Sequence, residues 1–294
     1  LQPRTSFFRS RRFAVVSLFV FPLVLAGCSN AGSPTVEPSP KAAALNHVHG
    51  ISVDPASSRI LLATHDGLFD ATADQAVKVS DSTIDLMGFT ATAEPEVFYA
   101  SGHPGPGSSL PNPVGLIKST DAGKTWEPVS RTGESDFHAL TVSGNSIVAF
   151  DGQLRTIADG KTWTTSMATF VPAVLAGSPA STVVLATTEN GVQRSTDSGT
   201  TWQAVPQSPI IQFAAIAAST DKAPTTAIGV EPNGTVHVSL NAGTTWAPAG
   251  KIDDQVQAVT AVESETGELK IWAATTTGVQ VSTDGGVTFR PALS

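Results

Sequence analysis

From about residue 47 onward, apolar and polar positions run in short stretches that never settle into a helical period. Gly50-Ile51-Ser52-Val53 alternates and ends at Asp54-Pro55. The apolar run over 60–64 follows, then the turn His65-Asp66-Gly67, then Leu68-Phe69-Asp70. Short β-rich runs bounded by Gly, Pro, Asn and Asp predict strands, because alternating side chains fill one face of a sheet while turn residues supply the reversals. The same order returns at 174–177, 183–187, Asn190-Gly191 and 192–194. Amphipathic stretches of helical length are missing from this part of the chain, which excludes arrays of helix pairs.

One stretch recurs after each such group. Ser195-Thr196-Asp197-Ser198-Gly199-Thr200-Thr201-Trp202 is matched by 119–126, by 239–246 with Asn241 in place of Asp, and by 282–289 with a final Phe. A weaker copy at 156–163 keeps Thr156, Gly160, Thr162 and Trp163. The closing aromatics Trp126, Trp163, Trp202, Trp246 and Phe289 are 37, 39, 44 and 43 residues apart. About forty residues and four short strands per repeat describe a propeller blade. Residues 46–294 hold six such units, so the expected fold is all-β, a six-bladed β-propeller of four-stranded antiparallel blades. Each repeated box would form the turn between the third and fourth strands, with Asp121, Asp197, Asn241 and Asp284 accepting backbone N–H bonds and the aromatic packing between blades.

These boxes, written Ser-x-Asp-x-Gly-x-Thr-Trp, resemble the Asp-box (bacterial neuraminidase, BNR) repeat family. The resemblance covers five of the six units and implies the propeller fold. That family includes sialidases, other glycan-acting enzymes and non-enzymatic assembly factors, so it implies no single function. The chain as a whole resembles exported bacterial proteins of glycosylhydrolase-like type.

The first residues carry a different signal. Arg4, Arg9, Arg11 and Arg12 precede an apolar run over 13–25, ending in Leu25-Ala26-Gly27-Cys28. A basic start, a short apolar core and small residues before a cut describe an export signal over 1–27. Small residues before the chain's single Cys resemble the lipobox of bacterial lipoproteins, which implies lipidation at Cys28 and a membrane anchor on the extracytoplasmic side. Residues 28–45, rich in Ser, Pro and Ala, read as a flexible tether. Removing the four leading arginines leaves 13 of the 17 basic residues against 25 acidic ones, a balance of −12. That excess of acid argues against nucleic acid as a partner.

The chemistry collects at one end. Aligning first strands gives the column His49, Met87, His138, Ala173, Ala214 and Gln257, and two residues earlier His47, Asp85, Asp136, Val171, Gln212 and Gln255. Residues two apart on a strand share a face, so these positions point toward one mouth of the central channel. The turns after the second strands reach the same mouth, carrying His65-Asp66 and, within 102–113, His103. Five of the six histidines thus gather over three consecutive blades, and the boxes occupy the opposite end. Imidazoles beside carboxylates fit one Zn or Cu ion, with Met87 leaning toward copper. His47, His49, His65, His103, His138 and Met87 are the candidate ligands; the Asp residues could equally orient the imidazoles.

Two other functions use the same mouth. A glycoside hydrolase needs paired carboxylates, for which Asp66, Asp85 and Asp136 are the candidates, with Asp151, Glu189 and Glu231 on equivalent loops. A true sialidase is disfavoured: the Phe-Arg-Ile-Pro sequence typical of that family is missing, Tyr99 reads as core, and Arg155 and Arg194 precede boxes, which places them at the far end. An assembly scaffold would bind a partner protein there, as Asp-box propellers of the photosystem-assembly type do. A small ligand, a glycan or a partner protein are the occupants these readings name.

Overall fold

The computed structural model describes residues 45, 47–54, 57–219 and 225–292. The chain divides into two compact units, Leu1–Ser39 and Pro40–Ser294. The expected export signal, Cys28 and most of the tether lie outside the described residues. All described residues belong to the second unit, which is all-β.

It contains six four-stranded antiparallel sheets, each built from four consecutive strands. Blade one is β1 (Val48–Val53), β2 (Ile60–Thr64), β3 (Gly67–Asp70) and β4 (Val77–Lys78). Blade two is β5 (Ile84–Ala91), β6 (Phe98–Pro104), β7 (Leu116–Ser119) and β8 (Glu127–Ser130). Blade three is β9 (Ala139–Ser143), β10 (Ser146–Phe150), β11 (Leu154–Ile157) and β12 (Trp163–Thr165). Blade four is β13 (Val174–Ala176), β14 (Val184–Thr188), β15 (Gly191–Ser195) and β16 (Gln203–Ala204). Blade five is β17 (Phe213–Ile216), β18 (Ala227–Val230), β19 (Thr235–Ser239) and β20 (Ala247–Lys251). Blade six is β21 (Val256–Glu263), β22 (Leu269–Thr275), β23 (Gly278–Ser282) and β24 (Arg290–Pro291). The expected six-bladed propeller is the observed one.

A single blade cannot bury both its faces, so the core lies between blades. Leu61, Ala63 and Leu68 of blade one pack with Leu86, Phe98 and Ile117 of blade two. Each later pair of neighbours shares a cluster of the same kind. The ring closes by this packing: Val48, Ile51 and Leu62 meet Ala258, Trp272 and Val281, with Leu45 half-buried against them. The last strand, β24, pairs with β23 of its own blade, so among the described residues no strand is exchanged across the seam. Leu45, placed in the tether by composition, therefore packs on the propeller.

The box turns act locally. In 119–126 the Ser119 hydroxyl donates to Asp121 Oδ1 at 2.8 Å and accepts the Gly123 N–H at 2.8 Å. Asp121 also accepts the Thr125 N–H at 2.9 Å and the Thr125 hydroxyl at 2.6 Å. The boxes at Asp197 and Asp284 repeat these bonds; in the Asn241 box Oδ1 accepts the Thr245 N–H, while Nδ2 donates to the Thr245 hydroxyl, reversing that bond. Each box aromatic then lands on the core shared with the preceding blade: Trp126 between blades one and two, Trp163 between two and three, Trp202 between three and four. Trp246 and Phe289 continue the series. The weaker box lacks these contacts. Asp159 accepts the Lys161 and Thr162 N–H groups instead, and a cavity of about 270 Å³ opens between blades two and three beside Gly160, Tyr99 and Lys118.

Candidate functional site

The first strand of each blade leads away from the mouth and the second returns, so the turns after β2, β6 and β10 end where β1, β5 and β9 begin. The five histidines do meet at this mouth, but as two groups rather than one. His49, His65 and Asp85 form the first, and His103, Asp136 and His138 the second; within each, one nitrogen or oxygen per residue lies within 4.8 Å of the others.

In the first group His65 Nδ1 lies 2.8 Å from Asp85 Oδ1 and 3.4 Å from His49 Nε2. His49 Nε2 is 3.9 Å from the same carboxylate oxygen. Ligand atoms on a tetrahedral Zn²⁺ at about 2.0 Å stand roughly 3.3 Å apart, and the three distances straddle that spacing. His47 adds a third imidazole, its ring 4.6 Å from that of His49 and 5.5 Å from that of His65. Burial pushes the His49 pKa down to about 4, with the neighbouring His65 and His47 adding to it and Asp85 opposing. At neutral pH His49 is therefore uncharged with a free ring lone pair, the form that binds a metal.

In the second group His103 Nε2 and His138 Nε2 both lie 3.1 Å from Asp136 Oδ2. His103 Nδ1 is 2.8 Å from Asn112 Oδ1. That bond makes Nδ1 the donor and directs Nε2 inward, the outer-sphere arrangement that fixes a metal-binding imidazole. The hydrogen bond to Asn112 raises the His103 pKa; partial burial opposes this, and the charges of Asp136 and Asp85 add to it. Asp136 Oδ1 is buried without a hydrogen-bond partner.

Backbone irregularities aim these side chains. The β1–β2 register slips at His49, the β5–β6 register at Met87 and the β21–β22 register at Gln257. These three bulges occupy one column of the repeat, and bulges are a common device for re-aiming a side chain at a site. Gln257 uses its bulge to close the ring: its Oε1 accepts the Val48 N–H at 3.1 Å and its Nε2 lies 3.5 Å from His47 Nδ1. His47 itself holds φ at 29°, a left-handed backbone rare outside glycine.

Other candidates fall elsewhere. Asp66 is exposed on its turn and belongs to neither group. Met87 is half-buried as the extra residue of its bulge, and neither set of nitrogen and oxygen ligands includes it. Glu231 takes His237 Nε2 at 2.6 Å, and Glu189 is exposed with Asn190 at 3.5 Å. Asp151 is 7 % exposed and accepts Arg155 Nε at 2.9 Å, with Arg131 at 3.5 Å. Burial pushes the Asp151 carboxyl up, but the Ser135 and Arg155 bonds outweigh it and hold the group below the ordinary carboxylate range. Arg155, expected at the box end, is thus turned back to the mouth by this carboxylate, whereas Arg194 does reach the box end and donates to the Ala242 carbonyl at 2.7 Å. Tyr99, expected in the core, is half-buried and packs against the core between blades two and three, with Lys118 Nζ 5.6 Å from its ring centre. Sequence reasoning missed Asn112 and Gln257 as site residues. Asn112 stands on a long loop with no periodic signal, and Gln257 showed itself only as a polar member of the His49 column.

No protein-family model matches this chain, and no curated protein sequence does. Solved structures do match in shape. A GH74 xyloglucanase from Xanthomonas campestris is 14% identical with a TM-score of 0.58, covering 84% of this chain and 38% of that one. The extracellular domain of a hybrid two-component system from B. thetaiotaomicron is 12% identical with a TM-score of 0.53, covering 85% and 33%. An ancestral GH74 enzyme gives 13% identity and a TM-score of 0.52 over 84% and 39%. These likenesses define the class, a β-propeller, and at such identity they show the fold alone. The chain spans well under half the length of each of these proteins.

Proposed function

We propose that this protein is an extracytoplasmic β-propeller of the Asp-box type, anchored through a lipid on Cys28, that binds a Zn²⁺ or Cu²⁺ ion at its histidine mouth. The observation that carries the reading is the His49–His65–Asp85 group. Three ligand atoms from two blades stand 2.8, 3.4 and 3.9 Å apart, and His49 is held neutral by burial. Two imidazoles and one carboxylate leave a coordination position for water or a ligand, as open metal sites do. Metal analysis of the purified chain after exposure to Zn²⁺ or Cu²⁺, with calorimetry, tests it. Uptake that falls in His49→Gln/His65→Gln supports the reading; no uptake by the native chain defeats it.

A glycoside hydrolase is the second reading. Two of the structural neighbours are GH74 enzymes, and Asp85 and Asp136 stand at the same mouth. Each carboxylate is engaged by two imidazoles, which suits a ligand sphere better than a solvated acid and base pair. Turnover of aryl-glycosides or of xyloglucan fragments, abolished by Asp85→Asn or Asp136→Asn, would move the assignment to this reading. A non-enzymatic scaffold would instead retain a membrane partner whose capture depends on the same face.

A further inference from the structure

We infer that the mouth binds two divalent cations side by side, the second held by His103, Asp136 and His138. This rests on the metal reading above and adds to it a separate site with its own ligands. The two groups share no residue. Blade one supplies His49 and His65 and blade two Asp85 to the first; blade two supplies His103 and blade three Asp136 and His138 to the second.

The second group has the marks of a built site. Both Nε2 atoms converge on one oxygen of Asp136, each at 3.1 Å, while its other oxygen is buried and unpartnered. With Nδ1 of His103 committed to Asn112 at 2.8 Å, its Nε2 is directed inward at that carboxylate. Three such atoms meet only with protons on the nitrogens or a cation in their place. A divalent cation accepts all three at once and, through Asp136 Oδ1, offers a partner to the atom that has none. Two imidazoles and a carboxylate are borderline ligands, which suit Zn²⁺ or Cu²⁺ rather than Ca²⁺ or Mg²⁺.

The sites are neighbours because Asp85 and His103, one from each, are paired residues in the β5–β6 ladder. Such partners have Cα atoms about 5 Å apart. The two ions would therefore sit together over blades one to three rather than at remote points of the rim, each with an open position facing the channel mouth.

The test is stoichiometry, using Zn²⁺ and Cu²⁺ alone as probes on the full chain. Calorimetry and metal analysis should give two equivalents for the native protein. One should remain in His49→Gln/His65→Gln, one in His103→Gln/His138→Gln, and none in the fourfold variant. Far-UV circular dichroism of each variant shows whether it has kept its fold, and His138→Gln alone, altering the most exposed ligand of the second group, serves as a gentler change. Copper-loaded native protein should show dipolar broadening in its electron paramagnetic resonance spectrum, absent from both double variants. One equivalent in the native protein, abolished by each double variant, would mean one shared ion: the metal reading would stand and this inference would fall. Two equivalents indifferent to both variants would place the ions elsewhere and overturn it. No uptake at all would remove the metal reading itself.

Discussion

Asp85 and His103 are paired across the β5–β6 ladder, yet each serves a different cluster. Asp85 turns to His65 of blade one at 2.8 Å, and His103 turns to Asp136 of blade three at 3.1 Å. Blade two is thus the hub of the mouth, giving one residue to each cluster.

Asn112 should matter to one side of that hub only. Its carbonyl holds His103 Nδ1 at 2.8 Å, and removing such an outer partner costs roughly 10–100-fold in metal affinity. Asn112→Ala is expected to weaken the His103–Asp136–His138 site by that factor in a competition titration with a chromogenic chelator. The His49–His65–Asp85 site should keep its affinity.

The boxes should make stability sensitive to acid. Bonds from the Thr125 hydroxyl and N–H lower the Asp121 pKa from 3.8 to about 2, and Thr288 does the same for Asp284. A carboxylate lowered on folding contributes its full share above about pH 4 and loses it as pH falls through about 2. Asn241 already performs the same role as an amide, so Asp121→Asn/Asp284→Asn should fold normally at pH 7. Its melting temperature should fall less steeply than the native protein's between pH 4 and pH 2. An unchanged slope would show that these carboxylates do not carry the effect.

Two glycines separate backbone strain from packing. Gly199 and Gly160 both hold positive φ, +82° and +70°. A Cβ on Gly199 would lie 2.7 Å from Val148 Cγ1 of the preceding blade, whereas one on Gly160 meets nothing within 4 Å. Each alanine costs about 1 kcal/mol for the left-handed backbone, and Gly199→Ala should cost about 1–3 kcal/mol more by overpacking. Urea denaturation of the two variants measures the difference.

Gln257 should hold the seam. Its carbonyl is the partner of the Val48 N–H, 3.1 Å away at the junction of blades six and one. Gln257→Leu should destabilise the propeller by about 1–2 kcal/mol, the cost of a half-buried donor left without its acceptor. Hydrogen exchange at Val48 should accelerate more than at Ala258, the residue after Gln257 on β21.

The sequence alone determined the blade count, the strand order, the box turns and the end of the propeller at which the histidines gather. Those features are written in short-range terms. Asp121 finds its partners within four residues, strand alternation has a period of two, and the box spacing counts the repeats. Ligand geometry is not short-range. His65 and Asp85 are twenty residues apart in the chain and meet because neighbouring blades pack at a fixed angle and bulges at His49 and Met87 shift the register. Only the tertiary structure could split five histidines into two groups, recruit Asn112, turn Arg155 back to Asp151 and leave Asp66 in solvent. A one-residue register shift or a rotated blade leaves the hydrophobic pattern intact but moves an imidazole by ångströms, and coordination is decided at that scale.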